Sequence, residues 1–102
     1  MPPTELRCRM NAPICVEFFG VARARADCSA LSISTETDEI SLATLVQRLA
    51  QELPELAEAC FDGSHLKDGY VCSLENDRIV RDPEARIPAG ATVLLFSADA
   101  GG

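Results

Sequence analysis

Leu42, Leu45, Val46, Leu49 and Leu53 recur at i, i+3, i+4, i+7 and i+11, the spacing of one face of an α-helix. Ser41 stands just before this run, where its hydroxyl can accept an orphan backbone N–H of the first turn. Pro54 ends the helix, because it lacks the N–H and its ring clashes with the preceding turn. Pro54 also suits the first position of a second, shorter helix over Glu55–Phe61, closed by Asp62-Gly63. A long amphipathic helix must lay its apolar face on another layer, and the remaining apolar residues carry the period of strands.

Ile14, Val16 and Phe18 alternate with Cys15 and Glu17, which predicts a strand with one side in the core. Val21–Asp27 carries Arg23 and Arg25 and reads as an exposed connection. Leu31 and Ile33 alternate again, so the first two strands form a hairpin. After the helices, Ser64–Gly69 reads as a polar loop. Tyr70–Leu74 and Arg78–Val80 read as strands about an Asn-containing turn. Arg81–Ile87 reads as a loop, and Pro88-Ala89-Gly90 as a turn. Ala91–Phe96 is apolar at nearly every position, the pattern of a central strand covered on both faces. Hairpin, helix and further strands in this order predict an α+β chain of the β-grasp, ubiquitin-like type: a mixed sheet crossed by one main helix, its last strand beside the first.

At 102 residues the chain accommodates one domain. The boundaries predicted are a flexible extension over 1–12, a β-grasp domain over 13–96 and a flexible tail over 97–102. A net charge of -7 argues against nucleic-acid binding, which needs a basic face, and against an anionic membrane surface. It favours basic partners, since opposite fields steer encounter. Neither a secretory h-region nor a membrane-length apolar run is present, so a soluble, cytoplasmic protein is expected. The cysteines Cys8, Cys15, Cys28, Cys60 and Cys72 have the irregular spacing of buried free thiols rather than a disulfide framework. His65 is the single histidine. One histidine cannot build a conventional zinc site or a nucleophile–base pair, so neither a metal nor autonomous catalysis is predicted. The carboxylates Glu36, Asp38 and Glu39 precede the helix and are read as favouring its N-terminus.

The chain closes on Gly101-Gly102. Without Cβ atoms such a tail can enter a narrow channel, and its terminal carbonyl is unhindered. A carboxylate reacts there only after activation, which means adenylation with ATP by a separate enzyme, since the chain has no phosphate-binding loop of its own.

Val16-Glu17-Phe18-Phe19-Gly20-Val21-Ala22-Arg23, Leu74-Glu75-Asn76-Asp77-Arg78-Ile79-Val80 and Ile87-Pro88-Ala89-Gly90-Ala91-Thr92-Val93-Leu94-Leu95-Phe96, followed by the short spacing to Gly-Gly, resemble the ubiquitin-like sulfur carriers. These are the small subunit of molybdopterin synthase and the carrier of thiamine thiazole synthesis. The Phe-Phe opening favours the molybdopterin branch. The tail departs from the family's usual apolar, Pro-rich one: Ser97-Ala98-Asp99-Ala100 places a charge at Asp99, and Gly90-Ala91 stands where Gly-Asp is usual.

The resemblance implies that the Gly102 carboxylate, presented by Gly101, is adenylated by an E1-like activating enzyme using ATP. It is then converted to a thiocarboxylate that donates sulfur inside a molybdopterin synthase large subunit. No permanently bound cofactor is implied. Sulfur delivery to thiamine, cysteine or a secondary metabolite, and attachment to proteins as a modifier, are the alternatives. Ala98, Asp99 and Ala100 would contact the partner's channel. Phe19 and Phe96 are candidate docking residues or, alternatively, core. Arg23 and Arg25 are solvated or face an acidic partner surface.

Overall fold

The computed structural model describes residues 12–63, 65–75 and 78–97. Among these residues the elements follow in the order β1 (Ile14–Phe18), α1 (Val21–Ala26), β2 (Ala30–Ile33), β3 (Glu39–Ser41), α2 (Leu42–Glu52), α3 (Pro54–Cys60), β4 (Phe61–Asp62), β5 (His65–Leu66), β6 (Tyr70–Leu74), β7 (Arg78–Val80), β8 (Arg86–Pro88) and β9 (Thr92–Ser97). The main sheet runs β2-β1-β9-β6-β7. β9 lies parallel to β1 and antiparallel to β6, so the last strand occupies the centre beside the first, as the pattern predicts.

The helices cover one face of this sheet. Ser41 caps α2, its side chain accepting from the Thr44 N–H at 3.1 Å. The apolar stripe then buries Leu42, Leu45, Val46 and Leu49. Pro54 opens α3, which buries Leu56 and Cys60. These side chains meet Ile14, Val16 and Phe18 of β1, Ile33 of β2, Cys72 and Leu74 of β6, Val80 of β7, and Val93 and Leu95 of β9 in one core. Burying side chains such as Phe18 and Leu45 stabilises the fold by about 1.5–3 kcal/mol each.

Three segments read as irregular are ordered. Val21–Ala26 is helix α1 rather than an exposed connection: Ala22 and Ala26, one helical turn apart, are buried while Arg23 and Arg25 point outward. Within Ser64–Gly69, His65–Leu66 pairs with Phe61–Asp62, and Gly63, at φ 67, turns the chain between them instead of only closing a helix. Within Arg81–Ile87 and the turn after it, Arg86–Pro88 pairs with Glu39–Ser41, burying Ile87 completely. The turn at Pro88-Ala89-Gly90 forms as expected: the Ala91 N–H donates to the Pro88 carbonyl at 3.1 Å. Gly90 sits at φ 84, a conformation glycine adopts at no steric cost.

The first turn of α2 carries no acidic residue. Glu36 and Asp38 are exposed ahead of β3, and Glu39 lies on β3, 3.6 Å from the Arg86 guanidinium. The helix-terminus account of these carboxylates is therefore replaced by an exposed loop and one cross-strand ion pair. No helix among the described residues is long and apolar enough to cross a membrane.

Candidate functional site

Successive residues of a strand point to opposite faces. In β9 this sends Val93 and Leu95 beneath the helices, 1% and 3% exposed, and turns Leu94 and Phe96 to the other face. No helix lies on that second face among the described residues, so β9 is covered on one side rather than two. Its Leu94 and Phe96 are half-buried between neighbouring strands.

The register extends the open face across the sheet. Val71 of β6 stands opposite Phe96, and Ser73 opposite Leu94. Ile79 of β7 stands opposite Ser73. On the other flank, Glu17 of β1 pairs with Leu94. Phe19 follows the last residue of β1, and its N–H donates to the Leu95 carbonyl at 3.0 Å. That bond carries the parallel ladder one step further and sets Phe19 beside Phe96. Phe19, Phe96 and Val71 thus form a row at the end of the sheet where β9 finishes, with Leu94 and Ile79 behind it. Phe19 is 43% exposed and Ile79 50%. Neither Phe19 nor Phe96 belongs to the core. The buried Ser73 stands between Leu94 and Ile79, so the apolar grouping is the row at the strand end, and apolar residues gathered on an open face are a feature of interaction surfaces.

Gly101, Gly102, Ala98, Asp99 and Ala100 lie outside the described residues, as does Cys8. The described chain ends at Ser97, which stands opposite Tyr70 at the same end of the sheet as the aromatic row. Arg23 and Arg25 are exposed on α1, and His65 is exposed on β5.

Burial disfavours the thiolate form of both core thiols. Burial pushes Cys72 up to about 12. Burial also raises Cys60, outweighing the Tyr70 hydroxyl bonded to it and the positive charges of Lys67 and Arg25. Tyr70 is raised in turn, chiefly by desolvation and then by the neighbouring thiol. Cys15 and Cys28 are half-buried free thiols. Among the described residues no three His, Cys, Asp or Glu side chains converge as metal ligands.

The sequence pointed to Phe19 and Phe96 but not to Val71, Leu94 and Ile79. The available signal was the period-two placement of Val71 and Ile79 relative to the core residues Cys72 and Val80.

Solved structures share this arrangement. Small archaeal modifier protein 1 from Haloferax volcanii superposes with a TM-score of 0.75 at 16% identity, over 89% of this chain and 100% of that one. The same-named protein from Methanosarcina acetivorans gives 0.69 at 16%, over 90% and 98%. A Pyrococcus furiosus protein assigned as molybdopterin converting factor subunit 1 gives 0.67 at 14%, over 84% and 97%. The chain has the ubiquitin-like β-grasp fold. At these identities the likeness is one of fold, and it agrees with the resemblance drawn from the sequence. No protein-family model matches the chain, and no curated protein matches it by sequence. The β-grasp core here presents apolar residues of its open face beside the end of its last described strand.

Proposed function

We propose that the chain is a sulfur carrier: its Gly102 carboxylate is adenylated by an E1-like enzyme at the expense of ATP, and sulfur then displaces AMP to leave a thiocarboxylate. The observation that carries this reading is the apolar row Phe19–Phe96–Val71 at the sheet end from which the chain continues toward Gly101-Gly102. The β-grasp domain acts as a handle. Phe19, Phe96 and Val71 hold it against the activating enzyme and then against the acceptor enzyme, while Ala98, Asp99 and Ala100 occupy the partner's channel. Withdrawing this apolar surface from water supplies affinity at about 25 cal/mol per Å² before the costs of association are subtracted. The net charge of -7 directs the carrier to basic docking surfaces. The most specific form of the proposal makes the acceptor a molybdopterin synthase large subunit, in keeping with the Phe-Phe opening and the Pyrococcus furiosus neighbour.

Incubation with a competent activating enzyme, ATP and a sulfur donor should raise the intact mass by the exchange of one oxygen for sulfur. Absence of that species would overturn the carrier reading. Reconstitution with a molybdopterin synthase large subunit then tests the acceptor. A second reading has specific support, because the Haloferax and Methanosarcina neighbours are modifier proteins. In it the same adenylate is passed to a lysine of a target, and cells should contain higher-mass conjugates that vanish when Gly102 is deleted.

A further inference from the structure

The apolar row ends on a charge. Cys72 pairs with Val80 and Ser73 with Ile79, so the same antiparallel register sets Arg81 opposite Val71, one step beyond β7. Val80 is buried, and Arg81, next along the chain, is exposed and turns to the open face as Ile79 does. The strand end therefore reads Phe19, Phe96, Val71, Arg81 across the sheet toward its β7 edge. Val71 and Arg81 together line an open pocket of about 210 Å³, with His65, Lys67, Asp68 and Tyr70 also in its walls. The chain has nine Lys and Arg and one His, and three of these ten line this pocket beside a single carboxylate, Asp68. In a domain of net charge -7 the pocket is a local reversal of sign.

The two cations of the lining differ in what they are free to do. Lys67 is committed, because its ammonium donates to the Glu58 carbonyl at 2.7 Å, and this holds its charge in place. Arg81 is not committed. Among the described residues the one ion pair is Arg86 with Glu39, so Arg81 has no carboxylate of its own domain as partner, Asp68 included. The carboxylate next to it in sequence is occupied elsewhere: Asp82 accepts the Glu84 N–H at 2.9 Å. Arginines are ordinary on surfaces. This one is distinguished by its place, at the end of an exposed apolar row and on the wall of a pocket that holds a second, fixed cation.

We propose that Arg81 is the charge anchor of the docking face: the activating enzyme that covers Phe19, Phe96 and Val71 places an Asp or Glu side chain in this pocket, where the planar Arg81 fork donates to both carboxylate oxygens. This rests on the docking role proposed above for the apolar row, and it adds the chemistry of the partner, an apolar surface bordered by a carboxylate. Covering the row withdraws the pocket mouth from water, which makes such a pair stronger than one left exposed. The anchor also gives the row a direction. Phe19, Phe96 and Val71 are apolar throughout and allow either sense of docking, whereas a charge at the β7 side alone allows one. The net charge and the anchor act at different range. The field of the whole domain draws the chain toward a basic partner before contact. After contact, salt screens exposed charges more than about 10 Å apart, and Arg81 responds to the carboxylate beside it.

The test is the affinity of the full chain for its activating enzyme, measured by titration calorimetry at low and high salt. Arg81→Gln should weaken Kd about tenfold and leave it less sensitive to salt. Arg81→Glu, which sets two like charges against each other, should weaken it further, and Arg81→Lys should recover part of the loss. Arg86→Gln removes the same charge from the β3–β8 pair and should leave Kd within about twofold. All four variants should keep the denaturation midpoint of the unaltered chain, since both arginines are exposed. Binding that ignores Arg81 would overturn the proposal. So would equal losses in Arg81→Gln and Arg86→Gln, which reduce the effect to net charge, or no added loss in Arg81→Glu, which means that no carboxylate faces the site. An unaltered chain that neither binds the enzyme nor gains sulfur overturns the carrier reading, and the anchor falls with it.

Discussion

Leu95 and Phe96 are neighbours on one strand, yet one is sealed in the core on the helix side and the other stands half-buried on a sheet face that no helix covers among the described residues. The same contrast runs across the sheet: Cys72 and Val80 lie within, and Val71 and Ile79 without. The open face is the more mixed, with Glu17 and Ser73 among its apolar residues. What separates the two faces is the placement of α1, α2 and α3 on one side only. A strand whose two sides are both apolar therefore serves two ends, holding the domain together with one set of residues and offering the other set to a partner.

That division makes unequal demands on substitutions, and the sharpest test is on the sealed side. Leu95→Ala should cost about 2–5 kcal/mol of folding stability through lost burial and the cavity left behind, read by denaturant titration. If the folded fraction still binds the activating enzyme with unchanged affinity, the two faces are independent. On the open side, Phe96→Ala should leave the denaturation midpoint nearly unmoved and weaken binding to that enzyme by about 2 kcal/mol, roughly thirtyfold in Kd. A large loss of stability with unchanged binding would reverse the assignment.

Alkaline pH probes the sealed side through its thiols. An unfolded thiol releases its proton near 9.0, whereas Cys72 keeps it in the folded chain to about 12. Above pH 9 the unfolded state binds fewer protons than the folded one. The stabilisation is therefore complete below pH 9 and is lost by about 1.4 kcal/mol per pH unit as pH rises through that window. Cys72→Ala should flatten the fall measured between pH 8 and pH 10, and the raised Cys60 works in the same direction. The smallest effect concerns the helix layer: Ser41→Ala removes the N-cap acceptor for Thr44 and should cost about 1 kcal/mol, with no change in docking.

Much of this architecture was legible in the residues. The alternation at Ile14–Phe18, the helical stripe ending at Pro54 and the apolar run before the tail each carry a strong period, and together they specify the sheet order. Helix α1 was not legible, because its core contribution consists of Ala22 and Ala26, two small side chains beside conspicuous arginines. The pairing of Arg86–Pro88 with Glu39–Ser41 escaped for a related reason: of the two short strands only Arg86–Pro88 buries a residue, Ile87, and a proline at its end suggests a loop. Apolarity on both sides of β9 suggested cover on both sides, since sequence records which residues avoid water but not what arrives to shield them. The open-face residues Val71, Leu94 and Ile79 were missed on that account, and Phe19 and Phe96 stood undecided between core and surface until the register was known.

The parallel pairing of β1 with β9 also bears on how the molecule is made. The sheet's central partner follows every other described strand in the chain, so Ile14, Val16 and Phe18 wait without their long-range neighbours until synthesis reaches Thr92–Ser97. Contacts between such distant segments form slowly, because the intervening loop must close before they contribute. A nascent chain cut short before β9 would have no centre to its sheet. Only molecules translated through Thr92–Ser97 acquire the central pairing of the sheet.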